Sequence, residues 1–202
     1  MRIVSITVLR KLATDAEPVL LAAQYELSGF NFFQRGSVRD FAVFFSKLLA
    51  SRTPPGERLS VDHEEYACYV YSRSSGLSAV AICDREYPQR VAFTLLGKVL
   101  EEFRMAFPED EWRASAVGAL TEHFRFLSEA IHKYQNPAEA DTITRIERDL
   151  DETKAILHQT IDNVLERGVK LDQLVDKSND LSLQSKMFYK TAKQQNSCCN
   201  WG

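Results

Sequence analysis

Residues 164–174 are Val-Leu-Glu-Arg-Gly-Val-Lys-Leu-Asp-Gln-Leu, an apolar pattern with one arginine, Arg167, near its middle. Alternating steps of three and four residues from Arg167 meet mostly apolar side chains, and the residues between them are mostly charged or amides. This spacing is typical of a coiled-coil seam with a solvated outer face. Besides Arg167, the predicted seam comprises Ile143, Ile146, Leu150, Thr153, Leu157, Thr160, Val164, Leu171, Leu174, Ser178, Leu181, Ser185, Phe188, Ala192 and Gln195.

The seam is interrupted by small and polar residues, which weaken it as an isolated dimer and leave room for bulkier side chains from several partner helices. A buried arginine is costly unless its guanidinium donors find acceptors. Acceptors on partner helices would make misalignment costly and so would define the register of the assembly. The alternative is a homo-oligomeric scaffold coil in which Arg167 extends outward into water.

The seam region predicts a long helix over 141–197, since residues 141–196 contain no proline and one glycine, Gly168. A continuous helix over 141–196 would span roughly 80 Å at about 1.5 Å per residue. A helix of that length cannot pack along one small domain, so we expect it to need partner helices. Pro137 disfavours helix at the residue before it, and 136–140 is predicted to be a linker.

Residues 1–135 predict a separate α+β domain. Alternating apolar residues indicate strands, and apolar residues at helical spacing indicate helices. We expect an antiparallel five-stranded sheet with helices on both sides. The predicted strands are 2–10, 18–27, 58–62, 65–72 and 77–83, and the predicted helices are 38–50, 90–107 and 115–134.

Composition and charge exclude several classes of protein. A net charge of -3 is not that of a nucleic-acid-binding domain, so no nucleic-acid partner is expected. The chain has no apolar run of transmembrane length, and its first residues alternate as in a strand, which predicts a protein made and kept on the cytosolic side. Cys68 and Cys83 lie in strand-like runs and are predicted to be buried thiols. The cysteines and histidines have no zinc-site spacing, so no metal is expected.

No catalytic pattern is apparent, and we expect neither an enzyme nor a bound cofactor. Residues 63–67 lack the second histidine of a metalloprotease helix, and 76–80 lack the final glycine of a nucleophile elbow. Transfer of an acyl group to the C-terminal cysteines by the chain itself is an alternative for which the sequence supplies no nearby general base.

The C-terminal residues indicate lipid attachment. Cys199 is fourth from the end, the position that is prenylated in C-a-a-X signals, and Cys198 beside it is a candidate for palmitoylation. Two lipid chains anchor a protein stably, whereas one attaches it only marginally. Asn200, Trp201 and Gly202 depart from the usual signal, which leaves a frayed tail with two surface thiols as the alternative.

Residues 164–174 closely resemble the central layer of R-SNAREs, the synaptobrevin-like class. Over nearly the whole chain the sequence resembles the prenylated longin R-SNARE of the ykt type, least in 51–57, 104–128 and the last three residues. The matching stretches are 32–35, 86–96, 134–137, 150–154 and 188–199. The resemblance implies a profilin-like longin domain at 1–135, a SNARE coiled-coil motif at 141–197 and a lipidated tail at 198–202.

The resemblance also implies a function. Arg167 would be the ionic zero layer, with the other seam residues as flanking layers and three Q-SNARE helices (Qa, Qb and Qc) as partners. Palmitoyl at Cys198 and farnesyl or another prenyl group at Cys199 would hold the chain on the cytoplasmic face of Golgi, endosomal and ER-derived vesicle membranes. The implied process is vesicle docking and fusion in ER–Golgi, endosome–Golgi and vacuolar or autophagic transport.

The family is also known for a closed cytosolic form, in which the longin domain folds back on the SNARE helix. Phe44 lies about 110° from the centre of the apolar stripe of the helix 38–50, at about 100° per residue. An aromatic side chain in that position, together with Phe41, predicts an autoinhibitory groove for the apolar side of 141–196. The alternative for Phe44 is a singly exposed side chain or one covered by a neighbouring strand. The alternative for the whole chain is a trafficking adaptor or scaffold whose coil homodimerises.

Overall fold

The computed structural model describes residues 2–13, 16–138, 140, 156–166 and 168–198. The strands in these ranges are β1 (Ile3–Arg10), β2 (Val19–Tyr25), β3 (Arg58–His63), β4 (Tyr66–Ser72), β5 (Leu77–Asp84) and β6 (Ile156–Thr160). The helices are α1 (Arg35–Arg52), α2 (Gln89–Ala106), α3 (Glu109–Ala114), α4 (Arg125–Lys133), α5 (Ile161–Val164), α6 (Leu171–Lys177) and α7 (Leu183–Cys198). A 3₁₀ turn, Phe32–Gln34, precedes α1.

Six strands of the described residues form one mixed sheet in the order β2-β1-β5-β4-β3-β6. Neighbouring strands from β2 to β3 in this order pair antiparallel, as the sequence predicted. The prediction had five strands, and the structure adds a sixth, β6, from the predicted coiled-coil region. Strand β6 pairs parallel with β3, with Arg58 opposite Ile156.

Two apolar layers cover the two faces of the sheet, because both faces of its central strands are buried. On β1, Ile6 and Val8 belong to one layer, and Val4 and Leu9 to the other. Val8 and Leu9 lie on opposite faces because successive side chains of a strand alternate. Val4 and Ile6, two residues apart, also lie on opposite faces, next to a register shift against β5 between Ile3 and Ser5. We call the two sides the α2 face, covered by α2, α3 and α4, and the α1 face.

The structure corrects the predicted helix over 115–134. Helix α4 begins at Arg125, and the preceding residues form turns that lie along the edge of β2. The backbone N–H groups of Gly118 and Leu120 donate to the carbonyls of Leu20 and Leu21 at 2.8 and 3.1 Å. The sheet edge thus takes hydrogen bonds from residues whose apolar spacing alone favoured a helix, and Gly118 supplies the positive φ of 70° that this turn requires.

The described part of 141–197 is helical in large part but is not one continuous helix. Residues 156–160 form β6, and the chain then continues as three helices, α5, α6 and α7, that return across the α1 face. Helix α5 is separated from α6 by a turn in which Gly168 has φ of 88°. The apolar stripe is buried on the chain's own domain. We call residues 156–166 and 168–198 the return segment.

Candidate functional site

The return segment is held to the α1 face by apolar contacts. Its residues share one core with the inner side of α1 and with strands β1, β3, β4 and β5. Val175 is completely buried there. The other buried apolar side chains of the return segment are Ile161, Val164, Leu165, Leu171 and Leu181.

An aromatic cluster connects α1 with the last helix. The ring of Phe41 lies 5.6 Å from the ring of Tyr189, and it also contacts Phe44 edge-on at 6.4 Å and Phe45 at 6.3 Å between centroids. Phe44 is 7% exposed and belongs to the same core. The Tyr189 hydroxyl donates to Asp172 Oδ1 at 2.8 Å. Burial raises the pKa of Tyr189, and this hydrogen bond to the carboxylate raises it further.

A carboxylate at the middle of the contact binds the start of α7. Asp40 Oδ2, on α1, accepts hydrogen bonds from the hydroxyls of Ser182 and Ser185 at 2.9 and 2.8 Å. Ser185 is 1% exposed, so its hydroxyl depends on partners inside the contact. Ser185, a predicted seam residue, is therefore hydrogen-bonded to α1 in this conformation.

Two ion pairs join the C-terminal half of α1 to the return segment. Lys47 Nζ lies 2.7 Å from Asp180 Oδ1 and 3.0 Å from Glu17 Oε1. Burial acts to lower the pKa of Lys47, but the hydrogen bonds and charges of these two carboxylates outweigh burial and leave this pKa raised. Arg52 Nη1 pairs with Glu166 Oε1 at 2.6 Å in a more exposed setting, where such pairs contribute little.

Strand β6 extends the sheet at its β3 edge. Five residues pair in parallel register, from Arg58 opposite Ile156 to Asp62 opposite Thr160. Near this end, the ring of His63 lies 5.5 Å from that of Phe45, and burial lowers the pKa of His63. The return segment thus pairs backbone groups at the β3 edge of the sheet that would otherwise be unpaired.

The structure distributes the predicted seam residues among several environments. Val164, Leu171, Leu181 and Ser185 are buried, and Leu174, Ser178, Phe188 and Ala192 are half-buried. Leu157 and Thr160, in β6, are exposed. The roles predicted for Arg167, Ile143, Ile146, Leu150, Thr153 and Cys199 lie outside the described residues, as do the side chains of Gln195 and Cys198.

Four contact residues were missed because they do not lie on the seam. Each directly follows a seam position: Ile161 after Thr160, Leu165 after Val164, Val175 after Leu174 and Tyr189 after Phe188. The return segment therefore buries an apolar stripe that is wider than a coiled-coil seam. The available signal was the run of adjacent apolar pairs, such as Val164-Leu165 and Leu174-Val175.

Among the described residues we also considered membrane-spanning helices, metal sites and reactive thiols. None of their helices combines the length and apolar character needed to cross a bilayer, and they hold no group of three metal-ligating side chains. Cys68 and Cys83 are free and buried, as predicted. Burial raises the pKa of the Cys68 thiol to about 12 and that of Cys83 well above its usual value, which makes both unreactive.

The fold is a longin domain followed by a helical region, and comparison with known proteins extends this class to the whole chain. Residues 27–127 match the family model of the regulated-SNARE-like longin domain, and 142–202 match that of synaptobrevin. The chain is 51% identical over 199 residues to the VAMP-like protein YKT61 of Arabidopsis thaliana, covering 98% of each chain. It is 50% identical over 200 residues to the synaptobrevin homolog ykt6 of Schizosaccharomyces pombe, again covering 98% of each.

The chain belongs to the Ykt6 family of synaptobrevin-type SNARE proteins. It is a SNARE with a role in membrane trafficking, and its partners are other SNAREs. The relatives are named for this class of non-enzymatic proteins.

Proposed function

We propose that the chain is an R-SNARE that docks and fuses vesicles by forming a four-helix bundle with one Qa, one Qb and one Qc helix. In the bundle, residues 141–197 form one long helix, and Arg167 donates hydrogen bonds to a glutamine from each partner. A misaligned bundle would leave this charge buried without acceptors, which explains how one residue could set the register.

The observation that carries the proposal is that the same seam residues are needed in two different contacts. Val164, Leu171 and Leu181 are predicted to face partner helices, and all three are buried on the α1 face. One side chain cannot occupy both environments at once. The folded-back form and the bundle are therefore mutually exclusive, and the longin domain inhibits assembly by holding these residues.

The membrane attachment that fusion requires is assigned to palmitoyl on Cys198 and to farnesyl or another prenyl group on Cys199. With both chains attached, the protein would reside on the cytoplasmic face of Golgi, ER-derived vesicle and endosomal membranes. It would enter the cytosol in the folded-back form. The pathways proposed are ER–Golgi, endosome–Golgi and vacuolar or autophagic transport, on the resemblance of the whole chain to its family.

Mixing the full chain with candidate Qa, Qb and Qc helices tests the proposal. We expect a heat-resistant four-helix complex, and we expect Arg167→Leu to destabilise it by about 2 kcal/mol or more, because the partner amides lose their donors. Lys170→Gln is the matched control, since Lys170 is an exposed cation off the seam. Homodimerisation of the chain without a mixed complex would overturn the proposal and favour a scaffold.

A further inference from the structure

Two adjacent aromatic side chains are held out in water just before α1. Phe32 is 78% exposed and Phe33 84% exposed, and their rings contact each other edge-to-face at 5.8 Å between centroids. Phenylalanine side chains carry a large apolar surface that folding normally buries. This pair is therefore an apolar projection for which the core of the domain provides no cover.

The exposure is built into the local backbone and is not the result of fraying. The Asn31 N–H donates to Gln34 Oε1 at 3.3 Å, and the Gln34 N–H donates to the Asn31 carbonyl at 2.9 Å. Arg35 Nε donates to the Phe30 carbonyl at 3.1 Å. These bonds form a capped 3₁₀ turn, and Phe30 on its inner side packs against the core of the α1 face. The turn thus presents both rings from a rigid support.

The last helix packs against the first half of α1. Going forward along the return segment, Asp180 contacts Lys47, Ser185 contacts Asp40 and Tyr189 contacts Phe41. Helix α7 therefore meets α1 at Asp40 and Phe41, close to the turn that carries the aromatic pair. Cys198 is the last residue of α7, nine residues beyond Tyr189.

Charge around the pair is mixed. Arg35 and Arg39 on α1 are exposed and would favour an anionic surface. Glu26, in the loop before the turn, opposes them, because its hydrogen bond with Ser28 lowers its pKa and keeps it charged. We therefore expect the two rings, and not charge, to carry most of the contact.

We propose that Phe32 and Phe33 insert into the interfacial layer of the bilayer to which the chain is anchored, so that the longin domain of the anchored chain rests on the membrane through this turn. The proposal builds on the lipid anchor of the proposed function. A protruding pair suits a bilayer surface better than it suits a rigid protein partner, which would need a matching pocket. Aromatic residues that enter the interfacial layer add apolar area to attachment that one lipid chain supplies only marginally.

A tethered fluorescence experiment tests the insertion directly. The full chain is coupled through Cys198 and Cys199 to maleimide-lipid vesicles of phosphatidylcholine and phosphatidylserine. Cys68 and Cys83 are 4% and 0% exposed and will not compete. A tryptophan is introduced as Phe33→Trp or, as the control on the α2 face, as Met105→Trp, where Met105 is 73% exposed. Both carry Trp201→Phe, and Trp112, 2% exposed, contributes the same background to each.

Bromine-labelled lipids then report contact. We expect them to quench the tryptophan at position 33 at least about threefold more strongly than the one at position 105, since only position 33 reaches the apolar layer. Equal quenching at the two positions would overturn the proposal, because the tether would then be the sole contact.

Sedimentation of the untethered chain with the same vesicles provides a second measurement. The double variant Phe32→Ser with Phe33→Ser should bind at least about tenfold more weakly than the unmodified chain. The double variant Met105→Ser with Val117→Ser, which removes two other exposed apolar side chains, should bind as the unmodified chain does. Equal binding by all three proteins, or no binding by any, would overturn the proposal.

Failure of this inference can be told apart from failure of the proposed function. The tether is chemical and needs no natural lipidation, and assembly with the Q-SNARE helices is measured separately by heat resistance. The Phe32 and Phe33 variants should assemble normally. If they lose assembly, the pair is a protein-binding site and the membrane proposal is wrong.

Discussion

The two faces of the sheet are covered in different ways. On the α2 face, α2 buries large apolar side chains, including Leu96, Leu100 and Phe103, at 0% exposure. On the α1 face, α1 buries small residues such as Ala42 and Ser46 together with Phe44 and Leu49. The hydroxyl of Ser46 takes part in a buried hydrogen bond with Thr7 at 2.9 Å. The remaining cover comes from the return segment, which combines apolar side chains with ion pairs and hydroxyl-to-carboxylate bonds.

This difference indicates which part of the fold is permanent and which is reversible. A layer of large apolar side chains from helices within the domain can be opened only by unfolding it. The hydrogen bonds of Asp40 and the ion pair of Lys47 can be replaced by hydrogen bonds to water. The parallel pairing of β6 at a sheet edge is the weaker kind of strand pairing. The α1 face is therefore suited to release its cover while the domain stays folded.

The largest effect is expected from a change on the α2 face. Phe103→Ala removes a fully buried ring that packs on Phe107 and Phe124, and we expect it to lower the free energy of unfolding of the whole domain by about 3–5 kcal/mol. Denaturant unfolding followed by circular dichroism measures this loss. A loss below about 1 kcal/mol would contradict the view that this face is the permanent core.

A charge on the α1 face should open the molecule without unfolding it. Val175→Asp places a carboxylate at a completely buried position of the return segment. Releasing the segment costs less than burying the charge, so we expect the radius of gyration to rise above the roughly 17 Å of a compact chain of this length. Small-angle scattering measures the expansion, and circular dichroism should show that the domain is intact.

Two further variants sharpen that test. Phe44→Glu changes the opposite side of the same contact and should expand the chain in the same way. Met187→Asp is the control, since Met187 on α7 is 69% exposed and a carboxylate there meets water. Loss of the domain's strand signal in Val175→Asp would show that the two faces are not independent.

The smallest effect is expected at the turn between α5 and α6. Gly168 has φ of 88° in the folded-back form, where an alanine costs about 1–2 kcal/mol, whereas in a continuous helix alanine is favoured over glycine by about 1 kcal/mol. Gly168→Ala should therefore shift the chain toward the open form by about 2 kcal/mol or more. Hydrogen exchange of the β6 amides would show faster opening.

Gly97→Ala is the matched control for this shift. Gly97 lies within α2, and a Cβ there meets no heavy atom within 4 Å. The variant should leave exchange in β6 unchanged. Equal exchange in Gly168→Ala and in the unmodified chain would mean that the turn at Gly168 does not restrain the return segment.

Most of the domain followed from local patterns. The five antiparallel strands and helices α1 and α2 were predicted because alternation and helical spacing report directly on which side chains face a core. The residues 115–124 were predicted wrongly, since their apolar spacing is helical while their backbone is needed to pair the edge of β2. Strand β6 was missed for a similar reason, because the open edge of β3, and not the preference of residues 156–160, selects its conformation.

The sequence by itself determined the family, the α+β domain, the apolar stripe around Arg167 and the paired cysteines, because each depends on residue identity and spacing along the chain. Only the tertiary structure decided that the stripe turns back at Gly168, widens to include Ile161, Leu165, Val175 and Tyr189, and is tied by Asp40 and Lys47. An apolar stripe must be buried, but periodicity does not say against what. The available surface, here the chain's own α1 face, makes that choice.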